Sequence, residues 1–474
     1  MSVLTKVFVE EIRKIEETQF SEINRMPCRL THHLMPPAGW LNDPNGLCYF
    51  KGKYHVFFQY SPFEVKGGLK FWGHYSSKDL VNWNYEGTAL YPDSPMDCHG
   101  VYSGSALTKE DELHLFYTGN VKLDGDYDYI NNGRLTSTLH VKSEDGVNFG
   151  IKEEVISSQD YPEEYTCHIR DPKVWEGQEK YHMVLGGRKK NDQGAVLFYS
   201  SEDLKNWNFD GQLTTEEPFG YMWECPDIFE LDGQKILSVS PQGVKREKYR
   251  HQNIYLSGYF VMKGNQVKAE EFREWDMGFD FYAPQTFQDE KGRRILIGWM
   301  GMPDADNEYK NLTLEEGWQH CLTVPRELKY CDGKIYQYPV EELMNLRRWE
   351  KKLWNKDCEA ETEGAFDLEL KIKEGFSKVI LTDAFSLEWK DGLVTLTMDQ
   401  EAGAGRGVRH ARIESVREIR ILADTSAVEI YINQGEVVFS SRFYGKALKH
   451  RLKIMAEAFQ GGIWSLEKMK ITKA

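Results

Sequence analysis

Five hairpin-like segments recur along the first two thirds of this chain, and their regularity limits the fold more than any other feature. Each has two apolar or aromatic arms around a polar turn: YFKGKYHVFFQY, LTKEDELHLFYTG, VWEGQEKYHMVLGG, IFELDGQKILSVS and FQDEKGRRILIGWM. Each is introduced by a motif of small, polar or proline-containing residues, in order NDPNG, YSGS, RDPKV, ECPDI and YAPQT. The introductions are about 55 to 70 residues apart, room for one four-stranded sheet apiece. A second echo runs through the same region. SSKDLVNW at 76–83 returns as SSEDLKNW at 200–207, with a looser copy, KSEDGVNF, at 142–149. One unit used five times is the pattern of a five-bladed β-propeller, whose innermost strands line a central channel. The five introductory motifs then converge on one axis.

After LTVPRELKY the pattern changes. VEELMNLRRWEKKLW reads as a helical connector. GAFDLELKI, SLEWKDGLVTLTMD, REIRILAD and AVEIYINQGEVVFSSRFY then alternate as strands of an antiparallel β-sandwich. At the other end, Val7, Ile12, Ile15 and Phe20 have the spacing of an amphipathic helix. The expected architecture is all-β: a five-bladed propeller over 29–335, then a connector helix and sandwich over 336–474, with a short helical extension over 1–28. A chain of 474 residues is long enough for two cores.

Composition narrows the partners. A net charge of -15 repels phosphate backbones and anionic membranes, so neither nucleic acid nor a membrane is expected. No segment approaches the roughly 20 apolar residues of a membrane span. The first residues carry charges throughout and do not read as a signal peptide. Eight cysteines lack a CxxC pair or zinc-ligand spacing, which fits free thiols in a reducing, cytoplasmic setting. The N-terminal helix and the sandwich are the surfaces available for a homo-oligomer. Aromatic residues make up 13% of the chain, a share that serves large β-cores or platforms for sugar faces.

The first motif, WLNDPNG, has β-turn chemistry yet is wrapped in apolar sequence, so its carboxylate, Asp43, is held inward. Asp171 in RDP and Glu224 in ECPD occupy later copies of the same motif. One acid beside a proline is ordinarily a turn former. Three at matching positions of a repeat are acids gathered around one axis, and a converging carboxylate pair is what glycosidic cleavage requires. Arg170 is expected to keep Asp171 ionised, whereas Trp223 and Cys225 are expected to desolvate Glu224 and favour its protonated form.

Taken in order, WLNDPNG, FFQYSP, WGHYSSKDLVNW, YSGS, RDPKVW and ECPDIF resemble glycoside hydrolase family 32, the invertase and β-fructosidase family. The resemblance runs from about residue 30 to the C-terminus. It implies the same propeller and sandwich, and a retaining double displacement on a β-fructofuranoside. By motif position Asp43 would be the nucleophile and Glu224 the acid, then the base. Asp171 would bind fructose hydroxyls and stabilise the transition state, oriented by Arg170. A retaining pair implies carboxyls roughly 5 to 5.5 Å apart. Asn42, Gln59, Tyr102, Ser103, Cys225 and Trp299 match positions around the fructose, with Trp40 and Trp72 as aromatic walls. The chain departs from the family at Lys66-Gly67-Gly68, where a Trp-Gly pair is usual. No metal or organic cofactor is implied.

The implied substrates are small sugars: sucrose, sucrose 6-phosphate or short fructo-oligosaccharides. Lys245, Arg246, Lys248 and Arg250 sit near the family's leaving-group side and suit a phosphate on the glucosyl 6-position. A fructosyltransferase and an inverting arabinan-type glycosidase are the enzymatic alternatives. A non-catalytic sugar-binding propeller would be expected to have an amide in place of one of the acids, and all three acids are intact.

Overall fold

The structure is a computed structural model that describes residues 2–305, 308–445 and 449–473. It is all-β apart from the helix Val3–Ile23 and short 3-10 turns. Five sheets occupy the region up to Pro339. Their first strands are Gly39–Phe50, Val101–Lys109, Tyr165–Glu176, Met222–Leu231 and Tyr282–Gln288. Each packs beside the next, and the fifth returns against the first, closing a ring.

Every first strand carries one extra residue at its introductory motif. Register slips between Leu41 and Pro44, Val101 and Gly104, Arg170 and Lys173, Glu224 and Asp227, and Tyr282 and Gln285. The expected turn at DPNG is therefore a β-bulge inside a strand. Proline has no N–H to contribute to a ladder and is tolerated where the ladder is already broken, and a bulge re-aims the adjacent side chains. Asp171, Cys225 and Ala283 hold equivalent bulge positions and share left-handed backbone, with φ of 64°, 46° and 47°.

The second echo is equally physical. In sheets one to three, Asp79, Asp145 and Asp203 each accept from the backbone N–H groups two and three residues on, while Asn82, Asn148 and Asn206 donate to the other carboxylate oxygen at 2.7 Å. The looser copy at 142–149 makes the same turn as the others.

Two six-stranded sheets follow and share one apolar core built from residues such as Phe366, Leu387, Val394, Ile421 and Ile430. The connector helix expected between the two regions is absent. Only Glu341–Leu346 is helical, as a 3-10 turn that buries Leu343 and Leu346, and Arg347–Asn355 is an edge strand paired with Ala458–Leu466. Pairing to a waiting sheet edge outweighs the helix propensity of its Arg, Lys and Glu residues.

The N-terminal helix forms, but with a different buried face. Ile12 and Ile23 are buried and Val7 is exposed, and the buried polar members are Thr5 and Glu16. Glu16 accepts from the hydroxyls of Tyr60 and Tyr85 and pairs with Lys473 at 3.2 Å. Lys473 lies in the strand Ile471–Lys473, which adds parallel to Trp83–Leu90, while Trp318–Gln319 adds parallel to the opposite edge at Gly39 and Trp40. The first sheet thus takes both outer strands from distant sequence.

A buried ionic seam joins the five-sheet region to the final two sheets. Arg326 is fully buried and bonded to Asp276, Glu429 and Ser440. His33 donates from both ring nitrogens, to Asp424 at 2.9 Å and Glu429 at 3.1 Å. Burial opposes its charge, but these two bonds outweigh it and push the imidazole up to about 9. Among the described residues, His32, His33 and Asp424 bring three metal-ligand atoms within 4.8 Å. With both His33 nitrogens occupied by carboxylates, the charge held there is a proton's.

Candidate active site

A cavity of about 570 Å³ opens where the bulges meet. Asp43, Asp171 and Glu224 line it together, with Trp40, Asn42, Gln59, Tyr102, Ser103, Arg170 and Trp299. Residues as far apart in sequence as Asp43 and Tyr282 meet there because each inner strand delivers its bulge to the same end of the ring.

Asp43 Oδ2 accepts from Ser103 Oγ at 2.5 Å, and Cys225 Sγ lies 3.7 Å from both Asp43 Oδ2 and Asp171 Oδ2. Asp171 Oδ2 also accepts from the Cys225 backbone N–H at 3.0 Å, and its own N–H donates to Thr118. Arg170 grips Glu224 Oε1 through Nη2 at 2.5 Å and Nε at 3.1 Å, and stands 3.9 Å from Asp171. Glu224 Oε2 accepts from Tyr282 Oη at 2.6 Å and Gln242 Nε2 at 2.8 Å.

This differs from the sequence reading in two respects. Arg170 holds Glu224 more closely than Asp171. The Trp223 ring is fully buried with its N–H on the Phe219 carbonyl, so it does not cover the Glu224 carboxyl, which four donor atoms hold instead.

Burial sets the remaining electrostatics. It pushes the Asp43 carboxyl above the usual range, with Ser103 opposing and the Glu224 charge adding to the rise. Asp171 is raised by burial and by Glu224 against the counter-pull of Arg170. Lys70, half-buried on the Asp43 side, is brought down to about 7 by desolvation. Its ammonium sits over the Trp40 ring, 4.9 Å from the centroid.

Residues 33–339 match the model of the glycosyl hydrolases family 32 N-terminal domain, and 390–473 match that of the family's C-terminal domain. The chain belongs to glycosyl hydrolase family 32. It is 42% identical to a Bacillus subtilis sucrose-6-phosphate hydrolase across 96% of this chain and 97% of that one. A Staphylococcus xylosus sucrose-6-phosphate hydrolase is 37% identical across 95% and 93%. Among solved structures, a Lactobacillus gasseri sucrose-6-phosphate hydrolase superposes with a TM-score of 0.87 at 29% identity, covering 96% and 97%. A Bombyx mori family 32 β-fructofuranosidase superposes at 0.86 and 32%, covering 98% and 99%.

Two residues expected to face the sugar do not line the cavity. Trp72 is fully buried among Phe57, Val101 and Tyr117, and its indole N–H supports the Tyr102 carbonyl at 3.1 Å. Cys225 is buried beneath the two carboxylates. The basic loop is also elsewhere. Arg246 pairs with Glu308, Lys248 lies on the Tyr249 ring, Arg250 donates to the Phe272 carbonyl, and Lys245 is exposed.

The cations that do line this family 32 cavity, besides Arg170, are Lys66, Lys70 and Arg134. Where the family's Trp-Gly pair is expected, a Cβ on Gly67 would meet Lys70 Nζ at 3.1 Å and the Trp40 ring at 3.2 Å. Tyr282, Gln242, Asn311 and His320 are further lining residues that sequence reasoning missed. Of these only Tyr282 had a signal, since it holds in YAPQT the place Arg170 and Glu224 hold in their own motifs. Trp299 Nε1, Asn311 Nδ2 and both His320 nitrogens are buried without a partner among the described residues. Buried polar atoms of this kind suit sugar hydroxyls, which both donate and accept.

Proposed function

We propose that the preferred substrate is sucrose 6-phosphate, cleaved by double displacement. The enzyme is a glycosidase that hydrolyses terminal β-D-fructofuranosides. The observation that carries the mechanism is the clustering of three acids in one cavity, with Asp43 and Asp171 both 3.7 Å from the Cys225 sulfur and Glu224 tied to Asp171 through Arg170.

In the first step an Asp43 oxygen bonds to the anomeric carbon as the bond to the leaving oxygen breaks, and Glu224 gives its proton to that oxygen. In the second, Glu224 takes a proton from water, whose oxygen replaces Asp43 and releases fructose. Asp171 has Oδ2 fixed by the Cys225 N–H, so Oδ1 is the oxygen left to bind fructose hydroxyls. Arg170 keeps Glu224 and Asp171 in register, and Tyr282 and Gln242 aim the second Glu224 oxygen.

The five sheets are the blades of a five-bladed propeller over 29–335, followed by a sandwich within 336–474 and preceded by the helical extension. Ring closure of the inner strands and similarity to family 32 structures support this reading. No helix among the described residues is long and apolar enough to cross a membrane. Free thiols and a phosphorylated substrate together favour a cytoplasmic enzyme. Sucrose-6-phosphate hydrolases among the relatives support the substrate. The test is kcat/KM on sucrose 6-phosphate, sucrose and 1-kestose side by side. A clear preference for the phosphorylated sugar is expected, and equal or better rates on the neutral sugars refute the assignment.

A further inference from the structure

A neutral sugar does not call for several cations around its site, so each one in the cavity needs an account. Arg170 is committed to Glu224, and its Nη1 also bonds His168 Nδ1 at 2.7 Å. Lys70 sits over Trp40 on the Asp43 side, and Lys66 adjoins Gly67, which abuts the same ring.

Arg134 differs from these. It is the first residue of the strand Arg134–Ser143, half-buried at the cavity wall. Its Nη1 donates to Asn120 Oδ1 at 3.2 Å, and its Nε is buried without a partner. Among the described residues no carboxylate pairs with it. The guanidinium is thus anchored at Nη1 and enclosed by protein at Nε, leaving Nη2 as the group free to meet a ligand. An arginine N–H of that kind makes a charge-assisted hydrogen bond to a phosphoryl oxygen.

Its location selects the ligand's end of the substrate. Its strand packs against Tyr165–Glu176, where Thr136 donates to the Cys167 carbonyl at 3.0 Å, so Arg134 stands beside the strand whose Arg170 grips Glu224. That is the side from which the leaving sugar departs. We propose that Arg134 receives the phosphate of the leaving glucosyl unit through Nη2 and sets the preference for phosphorylated over neutral substrate. This rests on the sucrose 6-phosphate reading above and moves the phosphate contact from the basic loop at 245–250 to Arg134 in the cavity lining.

The test uses the full-length enzyme with Arg134→Gln and Arg134→Lys. Arg134→Gln is expected to lower the ratio of kcat/KM on sucrose 6-phosphate to that on sucrose by about 10- to 100-fold, the scale of one hydrogen bond to a charged group. The loss should fall mainly on KM, and Arg134→Lys should recover part of it. Glucose 6-phosphate should inhibit sucrose hydrolysis by the wild type more strongly than glucose does, and Arg134→Gln should remove most of that advantage. A wild type that prefers sucrose 6-phosphate alongside an Arg134→Gln variant with the same ratio overturns the role of Arg134 alone. A wild type with no such preference overturns the substrate reading and this role with it. Should Arg134→Gln not fold, equal inhibition of the wild type by glucose 6-phosphate and glucose overturns the proposal without it.

Discussion

Removing one hydroxyl, by Ser103→Ala, should be costly because of what stands behind it. Trp40 Nε1 donates to Asn42 Oδ1 at 2.8 Å, Asn42 Nδ2 to Gln59 Oε1 at 2.5 Å, Gln59 Nε2 to Ser103 Oγ at 2.8 Å, and Ser103 Oγ to Asp43 Oδ2 at 2.5 Å. Every donor points the same way, so the chain delivers its last proton to the proposed nucleophile. Alanine strips that donor from Asp43 and leaves the Gln59 amide without its acceptor. A hydrogen bond to a charged group is worth about 1.5 to 3 kcal/mol, so kcat/KM should fall about 10- to 150-fold. The sign with pH is fixed. Burial raises the Asp43 carboxyl and Ser103 opposes it, so loss of Ser103 lifts it further. Asp43 must be ionised to attack, and the acid limb of kcat/KM therefore moves to higher pH, making the loss larger in acid than near neutrality. A pH profile of both proteins on one substrate reads this directly. An acid limb that does not move, with a loss under about threefold, refutes the hydrogen-bonded relay as a support of Asp43.

Asp43→Asn and Glu224→Gln should each lose at least about 100-fold in kcat while keeping the circular dichroism spectrum, and either variant with most of its rate loses its assigned role. Tyr282→Phe removes one of the donors on Glu224 Oε2 and should lower kcat more than it raises KM, which steady-state kinetics checks. Arg326→Met leaves Asp276 buried without its cation and Glu429 with His33 alone, and should cost about 3 to 5 kcal/mol in urea unfolding. His33 has a folded value of about 9, above its ordinary 6.5, so its stabilisation is whole below about pH 6.5 and lost as pH rises through 9. His33→Gln should abolish that alkaline loss of stability in the seam.

The repeat was legible because it is written in local chemistry. Hairpin turns, Asx turns and proline-bearing bulges each leave a residue signature, and three of the five bulges carry the acids. Partners across the cavity were not legible. Nothing in ECPDI or NGRLTS announces that Arg134 and Glu224 will line one cavity, because only ring closure brings those sheets together. The edge strand Arg347–Asn355 was misread for a related reason. Its charged residues favour a helix in isolation, and the glycine-rich strand it pairs with lies over a hundred residues later. Trp72 was read as a sugar platform, and only burial distinguishes it from Trp40.

The first sheet borrows Trp318–Gln319 at its inner edge and Ile471–Lys473 at its outer edge. During synthesis its own four strands leave the ribosome early, with both edges unpaired until the rest of the chain follows. Exposed strand edges invite pairing with other chains, and contacts this distant in sequence form slowly. The nascent chain is therefore most prone to misassociate while the sheet bearing Asp43 waits for its last strand. A chain cut before residue 471 would keep all three acids yet leave that edge open for good.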